Sequence, residues 1–366
     1  MSTEPSEART SNSKSPTPES HTQPNDGSKG YEIVYTCLLV DNVDITFSTK
    51  RERVRKNSNR LPDSFFRTAF EYSATLSAYV GKENHRKHKQ KPHLKFNDQN
   101  AYQNFEDFFL TRDLNKYRIE RQLVWNKTVD PSPYVSVVSN LTAAKKIAKD
   151  RYYKKSPPSD RVHITQISTQ GLVPATIRGR LQTTQNTYMN KDELIPIKPA
   201  TITYREVRIP VWIRSTAVPR DGSKITAEQW KNSGADMWVS VSELSQSKLN
   251  VQASSQHDTE WLCCGPVLMK HVIQVMPYDG DSEHPDDGTH PVVRSKRNLG
   301  WIWDWNLQRW VQDASLLPAP KATSDKRKRS NVEDDHNNTE PNQPQKRRVE
   351  DDGPDRSTLY VVEDVI

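Results

Sequence analysis

Apolar positions concentrate in the middle of the chain, and their spacing separates strands from short helices. Tyr31–Val40 (YEIVYTCLLV) is a continuous apolar run with the length of a buried strand. In Ser64–Val80, Phe65, Phe66, Ala69, Phe70, Ser73, Leu76 and Val80 recur at helical spacing. Asp63 or Ser64 stands at the N-cap position and Gly81 at the C-cap. The spacing predicts a helix there, and a second over Gln99–Leu110 through Tyr102, Phe105, Phe108 and Phe109.

Further along, strands dominate. Tyr134–Ser139 (YVSVVS) predicts a strand, and Leu141–Tyr153 a helix capped by Ser139 or Asn140 and stopped by Pro157-Pro158. Val162–Ile167 and Val207–Ile213 read as strands, and Pro210 marks the second as an edge or a bulge. Thr226-Ala227-Glu228-Gln229 forms a capping box ahead of a short helix carrying Trp230. Met237–Val241, Glu260–Cys264 and Val267–Met276 complete the strand set. Strands mixed with short helices, without a βαβ rhythm, predict the α+β class with a mixed β core.

The ends differ in composition. Residues 1–30 contain no Val, Ile, Leu, Phe, Tyr, Trp or Cys, and the apolar residues of Lys321–Thr358 are Ala322, Val332 and Val349. Such segments bury too little to offset ordering entropy and are expected to be disordered. The division that follows is a tail at 1–30, one domain over 31–318 and a second tail at 319–366. Residues 1–30 also lack the apolar stretch of a secretory signal, and no apolar run approaches the ~18 residues a membrane helix needs.

Charge adds one feature. The 366 residues carry a net charge of +7, yet Lys50–Lys95 alone holds 13 Lys/Arg against 4 Asp/Glu. The segment 50–95 reads as a basic insertion facing solvent, an acidic protein or phosphates. Few aromatics interleave it, which argues against direct nucleic-acid recognition. His85, His88 and His93 sit among lysines and arginines that oppose metal binding. Three cysteines rule out a disulfide framework, and Cys263-Cys264 in one strand point to opposite faces, as packing residues do. Phosphate-loop, H-E-x-x-H and G-x-S-x-G signatures are absent.

Between Leu123 and Val275 the chain reads LVWNKTVDPSPYVSVVSNLTAAKKIA, then VHITQIS, then DTEWLCCGPV. The order S-P-Y-V-S-V-V-S-N-L-x-x-A followed by E-W-L-C-C-G resembles a fungal domain family of unknown function. The core of that family is similar to the ADP-ribosyltransferase fold, in its toxin-type group. The resemblance covers the core at 123–275 and implies NAD as the cofactor of an active member. It implies three site positions: a first-strand arginine holding NAD phosphates or ribose, a serine beside the nicotinamide, and a glutamate engaging the ribose. Ser136 matches the first serine of a triplet whose other two positions are Val137 and Val138. Glu260 matches the glutamate, and Asp258 two residues earlier gives D-x-E where arginine-modifying members have E-x-E. On a strand both carboxylates would share a face and enter one cleft. Tyr31–Val40 has no arginine; Cys37 falls at the matching position, and Arg118 and Arg121 are the nearest arginines before Ser136. The resemblance thus implies a degenerate relative. The rival reading is a non-catalytic interaction module that uses the basic segment.

Two signals lie near the end. Lys326, Arg327, Lys328 and Arg329, then Lys346, Arg347 and Arg348, form two basic clusters of the kind nuclear import receptors bind. They predict a nuclear protein, cytoplasmic if the clusters are not read. Trp301, Trp303 and Trp305 alternate ahead of Trp310, as a packing stripe or a stacking platform would. The closing LYVVEDVI has the character of a strand that adds to a partner's sheet, or of a sticky end.

Overall fold

The computed structural model describes residues 31–39, 43–47, 50–58, 60–73, 75–80, 96–124, 132–155, 158–189, 195–289 and 291–316. Strands and helices follow one another as β1 (Tyr31–Leu38), β2 (Asp44–Thr46), α1 (Lys50–Asn57), β3 (Ser64–Ala69), β4 (Leu76–Ser77), β5 (Asn100–Gln103), α2 (Leu110–Asp113) and α3 (Lys116–Leu123). Then come β6 (Tyr134–Val138), α4 (Leu141–Tyr153), β7 (Val162–Ser168), β8 (Leu172–Tyr188), β9 (Thr201–Arg214), β10 (Lys224–Thr226), α5 (Ala227–Ser233) and β11 (Met237–Ser240). The order closes with α6 (Val241–Ser245), β12 (Glu260–Cys264), β13 (Val267–Leu268), β14 (Val272–Tyr278), β15 (Trp301–Asp304) and β16 (Arg309–Gln312). Short helices on a large sheet place the chain in the α+β class. No helix among the described residues is long and apolar enough to cross a membrane.

Eleven strands form one sheet in the order β10-β2-β8-β9-β11-β12-β6-β3-β7-β14, with β1 pairing further along β8. Its pairs are antiparallel. Alternation sends Ile177, Ile209, Val239, Leu262 and Tyr134 to one face, where α2, α3, α5 and α6 bury them. Val138, Ile164 and Met276 share that face further along, beneath α4. The other face is aromatic: Phe65, Trp212, Trp238 and Trp261 pack under the small β13-β5-β4 sheet and the β15–β16 hairpin. Phe65 stacks on Trp238 with ring centroids 4.6 Å apart. Trp303 and Trp310 are buried in this layer, so the tryptophan stripe is core and not an open platform.

Several expectations hold. The helix over Leu141–Tyr153 forms with Asn140 as its cap, and Thr226 with Gln229 makes the capping box. Cys263 and Cys264 enter opposite cores. Pro210 falls where β9 has β8 on one side and, among the described residues, no strand on the other, since β11 pairs with Trp212 and Ile213.

Other expectations are corrected. Residues 64–80 are not a helix: β3 is a central strand paired with β7, followed by a turn and β4. Gln99–Leu110 is likewise β5 and a loop leading to α2. The basic stretch 50–95 is not one insertion, because α1 docks on the sheet and β3 lies within it. The histidine group at 85–93, both tails and the import-signal clusters lie outside the described residues.

Candidate functional site

Ser136 sits mid-strand in β6, and the flanking alternation fixes its direction. Val135 and Val137 are drawn into the aromatic layer, which leaves Ser136 on the helical face. There it occupies a polar seam between two apolar clusters, with Tyr134 and Leu262 on one side and Val138 on the other. The Gln122 side chain, from α3, donates to Ser136 Oγ at 2.6 Å. The hydroxyl proton of Ser136 is thereby left for a different acceptor.

Glu260 opens β12 opposite Val138, while Leu262 stands opposite Ser136. Glu260 and Ser136 are therefore diagonal neighbours on one face, a separation that long side chains bridge. His257 Nε2 lies 3.9 Å from Glu260 Oε2, and its Nδ1 is 3.0 Å from Ser254 Oγ. Asp258 does not share this face by strand alternation. It caps a 3₁₀ turn with helical backbone angles, ahead of the strand, and is exposed.

Sequence reasoning passed over Arg67, which lies on the strand beside that of Ser136. The strand beside the serine strand is β3, not Tyr31–Leu38. Cys37 instead faces Gln182 on β8, with β9, β11 and β12 intervening before β6. Arg118 is engaged elsewhere, with Asp113 at 3.1 Å and Glu106 at 2.9 Å. β3 and β6 meet at a single pair, Phe66 with Val138, and then part. Arg67 leaves the sheet on the side of Phe65, opposite to Ser136, and reaches back into the split. Its Nη1 donates to the Ser136 carbonyl, its Nη2 lies 3.5 Å from Ser73 Oγ, and its Cζ lies 5.2 Å from the Tyr102 ring centroid.

Arg67 is buried, and its Nε has no hydrogen-bond partner among the described residues. Its hydrogen bonds among the described residues go to the Ser136 carbonyl and Ser73 Oγ and to no carboxylate. Burial pulls its pKa down, and the Tyr102 oxygen and the Glu260 carboxylate pull it back up. A buried guanidinium without a bonded anion is costly to hold and is a ready partner for one. A cation, a hydroxyl and a carboxylate thus stand on three neighbouring strands, with the Ser136 and Glu260 side chains on the helical face and Arg67 reaching the Ser136 carbonyl from the aromatic face. Among the described residues no cluster of His, Cys, Asp and Glu could hold a metal ion.

Comparison with known proteins adds nothing to this geometry: no family model, curated protein or solved structure matches the chain.

Proposed function

We propose that this chain has an ADP-ribosyltransferase-like core that binds NAD at the seam between β3, β6 and β12. The observation that carries the reading is Arg67, a buried cation with no bonded anion among the described residues, next to the strand of Ser136 and within electrostatic reach of Glu260. The resemblance asks for an arginine, a serine and a glutamate, and these three supply them. Arg67 would hold a phosphate of NAD. Ser136, its oxygen already accepting from Gln122, would donate its proton towards the nicotinamide end. Glu260 would face the ribose.

In the reaction this implies, the bond between the ribose C1′ and the nicotinamide nitrogen breaks. The electron pair leaves with the ring, which becomes neutral, and C1′ carries the positive charge. A fixed carboxylate stabilises that charge as it develops. Water or a protein nucleophile then adds to C1′ and loses its proton. The test is nicotinamide release from NAD by the full chain beside Glu260→Gln and Arg67→Lys. Release by the parent and a fall of about 10²-fold in the Glu260 variant are expected, the usual scale for removing one transition-state contact. Absence of both release and NAD binding in the parent would end the reading.

A second reading is favoured by Val137 and Val138 in place of the remaining serines and by the Gln122 amide on Ser136. In it the core binds NAD or ADP-ribose without turnover, and tight binding with no nicotinamide release distinguishes it. The basic clusters Lys326–Arg329 and Lys346–Arg348 would take either form into the nucleus. Alanine replacement of both clusters is expected to leave a fluorescent fusion in the cytoplasm.

A further inference from the structure

Past the aromatic layer, the same side of the sheet turns basic. Ile177 on β8 and Val207 and Ile209 on β9 point into the helical cluster. Alternation therefore sends Thr176, Arg178, Arg180, Tyr204 and Arg208 to the other side. α1 lies on that side: the Thr176 hydroxyl bonds the Glu52 carboxylate, and Arg55 Nη1 donates to the Ala175 carbonyl at 2.7 Å. With Glu52 and Arg55 turned inward, Lys50, Arg51, Arg53 and Lys56 are left exposed. Thr176 and Arg178 are two residues apart, about 7 Å along the strand, so the helix and the arginines form one surface.

Fold stability does not account for this arrangement. Arg178 and Arg208 are direct cross-strand partners, and like charges so placed repel. Both are exposed, and neither side chain makes a hydrogen bond or ion pair among the described residues. Asp44 stands opposite Arg178 on β2 but is taken by Lys224 at 3.0 Å. Glu206 stands opposite Arg180, 3.9 Å from it. An anion set between Arg178 and Arg208 would replace their repulsion with charge-assisted hydrogen bonds, and the guanidinium fork matches phosphate. Few aromatics interleave the cations of segment 50–95, but β9 brings one to their side of the sheet. Tyr204 shares the face of Arg208 and is 51% exposed. The Arg180 guanidinium lies over its ring, with Cζ 4.7 Å from the centroid. The exposed part of the ring is surface on which a base can stack.

We propose that this face binds single-stranded nucleic acid. The phosphodiester backbone would run over Arg178, Arg208 and the exposed cations of α1, and a base would stack on Tyr204. A row of cations beside an open aromatic ring suits an unpaired strand better than a duplex, whose bases are already stacked on one another. An acidic protein would use the cations and leave Tyr204 idle. The strand has two sources, DNA or RNA. The proposal uses none of Arg67, Ser136 or Glu260 and is independent of the NAD reading.

The test is fluorescence anisotropy of labelled oligo(dT), oligo(U) and a mixed-sequence duplex, titrated with the full chain at about 50 to 200 mM salt. The chain carries alanines at Lys326–Arg329 and Lys346–Arg348, so that the terminal clusters do not compete. Saturable binding of a single strand is expected, tighter than that of the duplex and weakening steeply with salt. Arg178→Gln with Arg208→Gln is expected to weaken it at least about tenfold and to lower the salt slope by about 1. Lys50→Gln with Arg53→Gln, on a different element, is expected to act in the same direction and keeps the test open if the first variant does not fold. Tyr204→Ala is expected to weaken the single strand about tenfold with the salt slope unchanged. The tighter of oligo(dT) and oligo(U) assigns the source. No saturation at the lowest salt, a duplex bound as tightly as the single strand, or parental affinity in both cation variants would overturn the proposal. Binding that Tyr204→Ala leaves intact and that polyglutamate displaces would assign the face to an acidic protein instead.

Discussion

Arg55 holds Glu243 across the sheet through two hydrogen bonds, Nε to Oε1 at 2.9 Å and Nη2 to Oε2 at 2.7 Å. The same guanidinium donates to the carbonyls of Ala175 at 2.7 Å and Val211 at 3.1 Å, and Trp212 Nε1 donates to Glu243 at 3.0 Å. This is how α1 attaches. Its one large apolar residue, Val54, is 60% exposed, and its buried residues are Glu52 and Arg55. Glu243→Ala leaves Arg55 buried and unpaired and is expected to cost about 3–5 kcal/mol in urea unfolding. Arg55→Met with Glu243→Leu removes both charges and is expected to cost much less. A double variant no better than the single would show that the ion pair is not what matters.

His163 makes stability sensitive to acid. It is fully buried on β7, with Nε2 3.2 Å from the Tyr102 hydroxyl and 3.4 Å from Ser77 Oγ. Burial, with Arg67 nearby, pushes its pKa down from 6.5 to about 3. Between those values the unfolded chain binds a proton that the folded chain refuses. Stability from this residue is therefore complete above the unfolded value and falls as pH drops, by about 1.4 kcal/mol per unit. Unfolding free energies between about pH 6 and pH 4 are expected to show a shallower slope in His163→Gln by that amount. Parallel slopes would refute the assignment.

Thiol reactivity is expected to single out Cys37. It is part-exposed, whereas Cys263 and Cys264 are buried on opposite faces of the sheet. Burial raises all three thiols, the latter two well above the ordinary range. A disulfide reagent should titrate one thiol in the native chain at about pH 8 and all three in denaturant. Two fast thiols in the native chain would contradict the packing of β12.

Gly280 fits against Tyr152 so closely that a Cβ there would lie 2.7 Å from the ring, at a φ of +122°. Tyr152 has no room to yield, since its hydroxyl accepts the Arg297 N–H at 2.6 Å and lies 3.1 Å from Ser295 Oγ. Gly280→Ala is expected to cost about 2–4 kcal/mol, from backbone strain and overpacking together. Gly288→Ala, with φ +80° but open space, carries the strain alone and should cost less in the same thermal melt.

The sequence exposes those elements whose pattern is local. Leu141–Tyr153 carries its own cap and face, and Tyr134–Val138 is a β-branched run between breakers. Ser64–Ala69 hides because both faces of a central strand are buried. Phe65 and Phe66 go to different cores, the period of two vanishes, and the residues fit a helix by spacing. Arg67 is hidden along with that strand; a charged residue inside an aromatic run is the available signal. α1 gives no hydrophobic signal, because a charge pair anchors it. The polar outer half of β8, from Gln182 to Thr187, reads as a loop because β1 and β9 cover its edges while its faces stay partly open. Ser136 and Glu260 are legible only through short motifs, and their adjacency requires the strand order.

By backbone pairing the large sheet is two plates joined at one point, with Phe65 of β3 stacked on Trp238 across the joint. Six residue pairs join β3 to β7 and five join β6 to β12, but Phe66 with Val138 is the one pair that joins β3 to β6. Beyond that pair, the Arg67 guanidinium spans the joint by gripping the Ser136 carbonyl. Amide protons within each plate should exchange together, and the two plates should open as separate units. An anion that took up the Arg67 donors would loosen that grip. Filling the seam and tilting the plates would then be a single event.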